Sequence, residues 1–356
     1  MSAAVLIVSA DAELLDDLLR LAAAADVEAH VASDVIGARS AWRDAALVIA
    51  GPDLSAELAD RAPPRRPGVI LATSEPDVDG VYRLAVDIGA QDVAPLPDAE
   101  AWLVERMAAA TEPAAAGATT IGVLGGRGGA GASVLSAALA ASGAGRGLRT
   151  LLIDGDPLGG GIDLVLGAEG APGARWSDYS ERRGRLSSAA LHDSLPTRAG
   201  LAVLSWHRGA VEPVPAETMR SVLDAGIRGY DLVVADLPRQ ITDAGAEALT
   251  AADVTLIVVP AEVRAAVAAD RVADMARRYT RDLRLVVRGP APGGLKPAVI
   301  AESLRLPLAG VMSADRRLAG AIERGEPPSG GGPLNAFCTR FLGGLAQARL
   351  STRPAR

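Results

Sequence analysis

A glycine-rich segment, GVLGGRGGAGAS from Gly122 to Ser133, has the residue types that bind a phosphate group through the protein backbone. Glycines let several backbone N–H groups converge on anionic oxygens, and the N-terminus of a following helix adds partial positive charge. The common phosphate-loop pattern has a lysine just before its serine or threonine. Here Ala132 takes the place of that lysine and Ser133 follows it. The segment therefore predicts a phosphate cradle without its usual cation.

Acidic residues follow two later strand-like runs of the chain. Asp154 and Asp156 come at the end of LLIDGD, and Asp236 ends LVVAD. Serine hydroxyls and carboxylates are oxygen ligands of the kind that Mg²⁺ prefers. Aspartate at a strand end is also a frequent capping or turn residue, so both interpretations stay open. We favour a functional role for Asp156 and Asp236, and favour it less for Asp154.

Apolar runs that alternate with helical stretches predict the elements that position these residues. Five such runs lie in the first 110 or so residues, and seven more lie between TIGVLGG and LAGVM. Continuous β-branched runs separated by helices are typical of parallel sheets that are covered on both faces. We expect an α/β fold with a doubly wound first domain over 1–112 and a mostly parallel second domain over 120–356. The small residues with Pro113 and Gly117 predict a linker over 113–119.

Composition limits the classes of function. A net charge of −7 disfavours nucleic acid as a partner, because binding to DNA depends on neutralising its phosphates. The single cysteine, Cys338, excludes an intramolecular disulfide and fits a reducing cytoplasm. The three histidines lie far apart in the chain, so we expect no metal site built on them. No apolar run is long enough to span a membrane, and the N-terminus predicts a first strand rather than a signal peptide.

These motifs together resemble the MinD/ParA superfamily of deviant Walker-A ATPases, whose loop reads K-G-G-x-G-K-[ST]. The matching residues here are Arg127, Gly128, Gly129, Ala130, Gly131, Ala132 and Ser133. LLIDGDPLGGGIDLVLG is similar to the second strand and switch I of that family. YDLVVADLPRQITDAGAEALTAADVTLIVVPAEV is similar to its switch II and following strand. The resemblance covers residues 118–330 and implies a P-loop NTPase-like domain.

The resemblance also implies roles for individual residues. It implies that ATP or ADP with Mg²⁺ binds at Gly126 and the loop up to Ser133, and that Ser133 and Asp236 hold the Mg²⁺. Asp156 would position the attacking water. Arg127 replaces a lysine that reaches across a homodimer to the phosphates of the partner; a solvated loop arginine is the alternative.

Two departures from the family pattern weaken the expected activity. A charge-assisted hydrogen bond contributes roughly 1.5–3 kcal/mol, so Ala132 should weaken nucleotide binding about tenfold to a hundredfold. Hydrolysis should lose more, because transition-state stabilisation is lost as well. The family often has an asparagine that reads adenine where Val287, Arg288 and Gly289 stand. Lys296, the only lysine of the chain, lies in a Gly/Pro-rich loop and is not expected to substitute.

The first domain resembles a response-regulator receiver that lacks its phosphorylation chemistry. Ser9 and Ala10 stand where that fold has an acidic pair, Gly51 where it has the phosphoacceptor aspartate, and Leu96 where it has a lysine; only Thr73 fits. Without these acids the domain has no Mg²⁺ site and no aspartyl phosphate. Asp53 is interpreted as a turn residue. Docking or dimerisation is the role that we expect for this domain.

Two surface segments have open interpretations. Leu334–Leu350 places apolar residues, both phenylalanines included, on one helical stripe. This stripe predicts either a helix packed on the sheet, which we favour, or a membrane or partner surface like the terminal helix of MinD. The arginine-rich segment Arg175–Arg185 is interpreted as a solvated face rather than a nucleic-acid contact, because Asp178 and Glu181 dilute its charge.

The two-domain layout resembles the CpaE/TadZ branch of the superfamily and the actinobacterial septum site-determining proteins of that type. The resemblance implies a cytoplasmic positioning protein, partly peripheral at the inner face of the membrane. It also implies that the protein dimerises and works with a septum or a pilus and secretion machine. An active MinD-like ATPase is the alternative. A ParA-like DNA-partitioning protein is disfavoured by the charge.

Overall fold

The computed structural model describes residues 5–61, 66–74, 80–111, 118–180, 186–209, 213–315, 317–328 and 330–352. The chain divides into two compact units, Met1–Pro113 and Ala114–Arg356. Each unit has its own sheet and its own hydrophobic core, so each is described by itself. The linker predicted over 113–119 falls mostly outside the described residues, and Thr119 already opens a strand. The domain boundaries at 112 and 120 therefore stay a prediction.

The first unit is a five-stranded parallel sheet with helices on both faces. Its strands lie in the order β2-β1-β3-β4-β5. Its elements are β1 (Val5–Val8), α1 (Ala12–Ala24), β2 (Ala29–Ala32), α2 (Val35–Ala41), β3 (Leu47–Ala50), α3 (Pro52–Asp60), β4 (Val69–Thr73), α4 (Val81–Ile88), β5 (Asp92–Pro95) and α5 (Glu100–Thr111).

The sequence of the first unit accounts for most of these elements. The strands are buried apolar runs, and their two faces contribute to two separate core clusters. Asp11 caps α1 by accepting hydrogen bonds from the backbone N–H groups of Glu13 and Leu14. The strand order is that of flavodoxin-like doubly wound domains. Helix α3 was not predicted; Pro52 stands in its first turn, where proline is favoured.

The second unit is an eight-stranded sheet in the order β13-β12-β11-β6-β10-β7-β9-β8. Its elements are β6 (Thr119–Gly125), α6 (Ala132–Ala144), β7 (Thr150–Asp154), α7 (Ile162–Val165), α8 (Trp176–Ser180), α9 (Ser188–Ser194), β8 (Thr197–Arg198), β9 (Leu201–Leu204), α10 (Ala216–Gly229), β10 (Leu232–Leu237), α11 (Asp243–Ala251), β11 (Val254–Pro260), α12 (Val263–Ala276), β12 (Leu283–Arg288), α13 (Pro297–Leu304), β13 (Leu308–Met312), α14 (Leu318–Glu323) and α15 (Pro333–Thr352).

The topology of this sheet brings the predicted site residues to one edge. Every pairing is parallel except that of β8, a two-residue strand that was not predicted and that runs antiparallel to β9. The central strand β6 lies between β10 and β11, and β7 lies on the far side of β10. The carboxyl ends of these parallel strands therefore meet at the same edge, where open α/β sheets bind ligands.

The last helix, α15, packs on the second unit. Leu334, Phe337, Cys338, Phe341 and Leu342 are buried in the cluster that contains the apolar face of α6. The packing explains why α6 itself is apolar on nearly every side, since the sheet covers one side and α15 another. The apolar stripe over 334–350 is thus buried on the second unit in its described part, which is the packing that the sequence favoured over a membrane or partner surface. Among the described residues no helix is both long enough and apolar enough to cross a membrane.

Candidate phosphate-binding site

The glycine-rich segment forms a loop between β6 and α6. Gly126 packs closely beside α12: a Cβ at this position would lie 2.7 Å from the Cβ of Ala269. Gly129 and Gly131 have φ values of 69° and 94°, in the left-handed region that favours glycine. Gly131 is the N-cap of α6, so the loop ends at the positive end of a thirteen-residue helix. The strand, loop and helix predicted from the sequence are present.

The backbone of the loop has unused hydrogen-bond donors. Within the described part of the chain, the N–H groups of Gly128, Gly129, Gly131, Ala132 and Ser133 donate to no protein acceptor. Ala130 is the exception, since its N–H donates to the carbonyl of Arg127 at 3.3 Å. Gly129 is open on its side-chain face, where a Cβ would have no neighbour within 4 Å. These donors without a protein acceptor, at a helix N-terminus, are an arrangement that can bind an anion.

Asp236, at the end of β10, lies directly behind the loop. It stands in register with Val123 of β6 and with Asp154 of β7, and it is 3% exposed. Ser136, in the second turn of α6, donates a hydrogen bond to its Oδ1 at 2.9 Å. Burial raises the pKa of Asp236 to about 7, against hydrogen bonds from Ser133 and Ser136 that lower it. The carboxyl of Asp236 and the hydroxyl of Ser133 therefore meet at the start of α6.

Asp154 organises the loop that follows β7. Its Oδ2 accepts hydrogen bonds from the N–H of Ile162 and the hydroxyl of Ser205, both at 2.9 Å. Its backbone carbonyl accepts a hydrogen bond from the indole of Trp176 at 2.6 Å. Burial raises the pKa of Asp154 to about 6, although the hydrogen bonds from Ile162 and Ser205 lower it. The sequence reasoning ranked Asp154 below Asp156, but it missed these contacts, which tie three segments to the end of β7.

Asp156 lies closer to solvent on the same loop. It is half-buried, and its Oδ1 accepts a hydrogen bond from the N–H of Leu158 at 3.0 Å, which closes a local turn. Gly155 fixes this loop against β10, since its N–H donates to the carbonyl of Asp236 at 2.8 Å. A side chain at Gly155 would collide with that same carbonyl. Asp154, Asp156 and Asp236 consequently lie together, and the negative charge of Asp156 contributes to the raised pKa of the other two.

Arg127, the residue in the place of the signature lysine, is engaged within its own chain. Its Nη2 donates to both carboxylate oxygens of Glu262, at 2.9 and 3.0 Å. Glu262 is the residue just before α12, and both side chains are partly exposed. In this conformation the charge of Arg127 is shared with a carboxylate, so Arg127 does not stand free over the loop.

Two further arginines lie against the loop at its opposite ends. A Cβ added to Gly128 would lie 3.8 Å from Nη1 of Arg239, and one added to Gly131 would lie 3.3 Å from Nη1 of Arg288. Arg239 follows the switch II motif and is exposed, whereas Arg288 ends β12 and is half-buried. Neither arginine forms an ion pair or donates a hydrogen bond within the described ranges. The sequence analysis identified neither arginine as a cation that lies against the loop.

A cavity of about 460 Å³ opens beside the loop at the end of β12 and β13. It is lined by Gly131 and Val134 on the loop side and by Arg288, Met312 and Asp315 on the strand side. This volume falls within the range of small-molecule sites in proteins. The amide donors, the Ser133 hydroxyl, the Asp236 carboxyl and this cavity fit a Mg²⁺-bound nucleotide. The residue that they lack is the lysine that Ala132 replaces.

In the first unit, the position where a receiver domain has its acidic phosphorylation site is closed. The carboxylate of Asp53 accepts hydrogen bonds from the hydroxyl of Ser9 at 3.0 Å and from the N–H of Ala10 at 2.6 Å. A Cβ at Gly51 would lie 2.3 Å from Oδ1 of Asp53 and 2.8 Å from Oγ of Ser9. Asp53 was interpreted as a turn residue, but it joins the end of β1 to α3 and fills the place where a receiver has its acid cluster.

The arginine-rich segment is only partly a surface. Arg175 is buried and donates hydrogen bonds to the carbonyl oxygens of Ala171, Gly173 and Ala174. The solvated face that was predicted is therefore wrong for Arg175, which holds the loop before α8. Residues 181–185 of this segment lie outside the described residues.

Comparisons with known proteins agree with the two-unit architecture. Residues 8–118 match the family model described as Rv3660c-like, CheY-like N-terminal domain. The chain is 42% identical to the protein Rv3660c of Mycobacterium tuberculosis over 324 residues, which cover 88% of this chain and 90% of that protein. It is 25% identical to the septum site-determining protein MinD of Helicobacter pylori over 224 residues, which cover 59% of this chain and 83% of that protein.

Solved structures show the same fold for the second unit. The chain is similar to the MinD cell division protein of Aquifex aeolicus, with a TM-score of 0.51 and 25% identity over 63% of this chain and 97% of that chain. It is also similar to MinD of Pyrococcus horikoshii, solved in complex with Mg-ADP. There the TM-score is 0.52 and the identity 15%, over 67% of this chain and 100% of that chain. The predicted fold class is confirmed: a receiver-like domain precedes a MinD/ParA-like P-loop domain.

Proposed function

The chain belongs to the family of the mycobacterial protein Rv3660c, and we propose that it is a positioning protein whose second domain binds Mg·ATP or Mg·ADP with little or no hydrolysis. The observation that carries this proposal is the loop between β6 and α6. It presents free backbone donors and a serine beside a buried aspartate, yet it has alanine where the lysine belongs. Binding through the backbone does not need that lysine, whereas stabilising transferred charge does.

The proposed roles follow the geometry of the loop. Residues Gly126 to Ser133 surround the phosphates, and Ser133 and Asp236 hold the Mg²⁺ with water in its remaining positions. Bound Mg²⁺ would keep the Asp236 carboxyl ionised despite the burial that raises its pKa. MinD of Pyrococcus horikoshii was solved with Mg-ADP on the same fold, which supports Mg²⁺ and an adenine nucleotide as the ligands to test first.

Weak hydrolysis follows from the charges around the loop. Arg127 shares its charge with Glu262, and Ala132 contributes none. In this proposal Asp156 orients a water molecule, but the developing negative charge of the transferred phosphate would lack the lysine that normally stabilises it. We therefore propose a nucleotide state that persists, as suits a protein that holds a conformation or a homodimer rather than one that turns over rapidly.

The cellular role is proposed from the layout of the two domains. A receiver-like domain without acceptor chemistry, joined to a MinD-like domain, resembles the CpaE/TadZ and septum site-determining proteins. We propose a cytoplasmic protein that places a septum or a pilus and secretion machine, with the first domain as the docking module. The filled Asp53 position supports docking over phosphorylation, because it leaves no room for a phosphoacceptor at Gly51.

An active ATPase that cycles between nucleotide states is the second candidate. The observation that favours it is the cluster of Asp154, Asp156 and Asp236, which is present although the lysine is not. The two candidates predict different rates for the same bound nucleotide. The first predicts that ATP stays intact, and the second predicts hydrolysis that Asp156→Ala abolishes.

Nucleotide titration combined with size-exclusion light scattering and a phosphate-release assay tests the proposal. We expect the full chain to bind Mg·ATP at micromolar to millimolar concentration, to become dimeric with it, and to release phosphate no faster than Asp156→Ala. Hydrolysis that Asp156→Ala abolishes would replace this proposal by the ATPase. The absence of any binding at millimolar Mg·ATP would remove both.

A further inference from the structure

We propose that Arg288 binds the phosphate group that lies next to Gly131 and so supplies, for nucleotide binding, part of the positive charge that Ala132 removes. This inference rests on the proposed nucleotide binding and concerns affinity for the phosphates, not the stabilisation of charge during hydrolysis. Arg288 is the last residue of β12, two strands away from β6 in the sheet. Its side chain nevertheless reaches the loop, because its Cδ and Nη1 would lie 3.6 and 3.3 Å from a Cβ on Gly131.

Within the described part of the chain, the guanidinium of Arg288 has no hydrogen-bond or ion-pair partner. Its Nε is buried and donates no hydrogen bond, and no carboxylate of the described residues forms an ion pair with it. Asp315 lines the same cavity, but its Oδ1 accepts the backbone N–H of Arg317 at 2.9 Å. A partly buried charge without a partner is unfavourable, so its place beside an anion-binding loop is explained if an anion binds there.

The cavity beside the loop indicates where the rest of the ligand that carries this anion would lie. Gly131 and Arg288 both line it, so a ligand that runs from the loop amides into the cavity passes the guanidinium. The apolar part of the lining, which includes Val134, Met312 and Ile322, suits the uncharged part of such a ligand. A nucleotide has this division, with phosphates at one end and a flat, mostly apolar base at the other.

The other two arginines beside the loop each lack at least one of two features of Arg288. These features are a guanidinium without an ion pair among the described residues and a place in the lining of the cavity. Arg127 is paired with Glu262. Arg239 lies at the Gly128 end, is exposed, and does not line the cavity. Arg288 alone among these three arginines both contacts the loop and lines the cavity. Arg239 is therefore a matched control: it also lies against the loop and has no ion pair within the described ranges, but it approaches the end of the loop away from the cavity.

The experiment compares adenosine, AMP, ADP and ATP as ligands of the full chain in the presence of Mg²⁺, by calorimetric titration. We expect Arg288→Gln to weaken the binding of ADP and ATP about tenfold to a hundredfold, the size of one charge-assisted hydrogen bond, and to leave adenosine unchanged. Arg239→Gln should have a clearly smaller effect. Ala132→Lys in the Arg288→Gln background should restore binding, since it returns a cation to the loop.

Folding is checked by the thermal unfolding of each variant. If Arg288→Gln does not fold, Arg288→Met takes its place, because methionine keeps the apolar stem and lacks the charge. Equal binding of ADP by the wild type and the folded variant would overturn the role of Arg288 and leave the proposed nucleotide binding intact. An equal loss for adenosine would also overturn it, since Arg288 would then hold the nucleoside. A wild type that binds no nucleotide would overturn the proposed function, and this inference with it.

Discussion

The hydroxyl of Ser136 donates a hydrogen bond of 2.9 Å to the carboxylate of Asp236, and both side chains are buried. Ser136 lies one turn beyond the loop on α6, and Asp236 ends the strand beside it. This bond joins the helix that follows the loop to the strand that carries the proposed metal ligand. The position of the Asp236 carboxyl is thus set before any ligand binds, which is how a site on rigid elements is preorganised.

Ser136→Ala should destabilise the protein, because the ionised form of Asp236 then loses a buried donor. We expect a loss of about 1.5–3 kcal/mol in the free energy of unfolding at pH 8, where Asp236 is mostly ionised. Urea unfolding measures it. Ser142→Ala is the control, a half-buried serine of the same helix with no side-chain hydrogen bond in the described part of the chain. Equal effects of the two substitutions would contradict the proposed role of this bond.

The ligand-free protein should become less stable as pH rises through the range of its two buried acids. The folded-state pKa values of Asp236 and Asp154, about 7 and about 6, lie above the ordinary value of an aspartate because of burial. The folded protein then binds protons more tightly than the unfolded chain. The contribution of these two acids to the free energy of unfolding is therefore fully present below about pH 4 and is lost as pH rises to about 7.

The difference in unfolding free energy between the wild type and Asp236→Asn isolates this effect. Between pH 4 and 8 the wild type should lose stability relative to the variant, at about 1.4 kcal/mol for each unit of raised pKa. Asp231→Asn should show the opposite sign in a lower pH range, because the hydrogen bond from Arg149 lowers the pKa of Asp231: the wild type should lose stability relative to this variant only as pH falls below about 4. A difference that does not change with pH would show that Asp236 is ionised at its ordinary pKa.

Substitutions of Asp154 and Asp156 should differ in their effect on stability, because Asp154 binds three segments whereas Asp156 closes a local turn. Asp154→Ala removes the acceptor for Ile162 and Ser205, so we expect a loss of about 2–4 kcal/mol in unfolding free energy and faster proteolysis of the loop after β7. Asp156→Ala removes one exposed turn bond and should cost less than about 1 kcal/mol. Urea unfolding and limited proteolysis compare the two variants. A larger loss for Asp156 would contradict this assignment.

Restoring an aspartate at Gly51 should not create a receiver that accepts phosphate. The new Cβ meets Asp53 and Ser9 below van der Waals distance, so Gly51→Asp should destabilise the first unit by about 1–3 kcal/mol. Incubation with a small-molecule phosphodonor, followed by intact mass measurement, should show no added phosphate. The stability of Gly51→Asp with Asp53→Ala serves as the control, since it removes the closer of the two collisions and should recover part of the lost stability. Phosphorylation of Gly51→Asp alone would refute the closed site.

The sequence alone predicted those elements of the fold whose structure depends on residues that are neighbours in the chain. Buried strands such as VLIV and TLLID are continuous apolar runs, and the glycines at 129 and 131 coincide with positive φ values. It was insufficient where contacts join distant segments. The approach of Arg288 to Gly131 depends on the strand order of the sheet, and the pairing of Arg127 with Glu262 depends on where α12 begins.

Some signals were present but were not used. Ser136 follows Ser133 at helical spacing, which places both on one face of α6 and predicts a second hydroxyl at the site.

The burial of the C-terminal stripe was the favoured interpretation, and the unusually apolar α6 explains it, since a helix that is apolar on all sides needs cover on all sides. The two-residue strand β8 has no signal of its own, because its pairing is set by β9.

In the proposed site the loop binds a nucleotide through its backbone without the usual lysine. Titration of Mg·ATP into the wild type, Gly129→Asn and Gly129→Asp tests this mode of binding. The side-chain face of Gly129 is open, and asparagine and aspartate tolerate its backbone conformation, so both variants should fold. We expect saturable binding by the wild type and Gly129→Asn, and no binding by Gly129→Asp, whose carboxylate repels the phosphates. Binding by Gly129→Asp equal to that of Gly129→Asn, or no binding by the wild type at millimolar Mg·ATP, would contradict it.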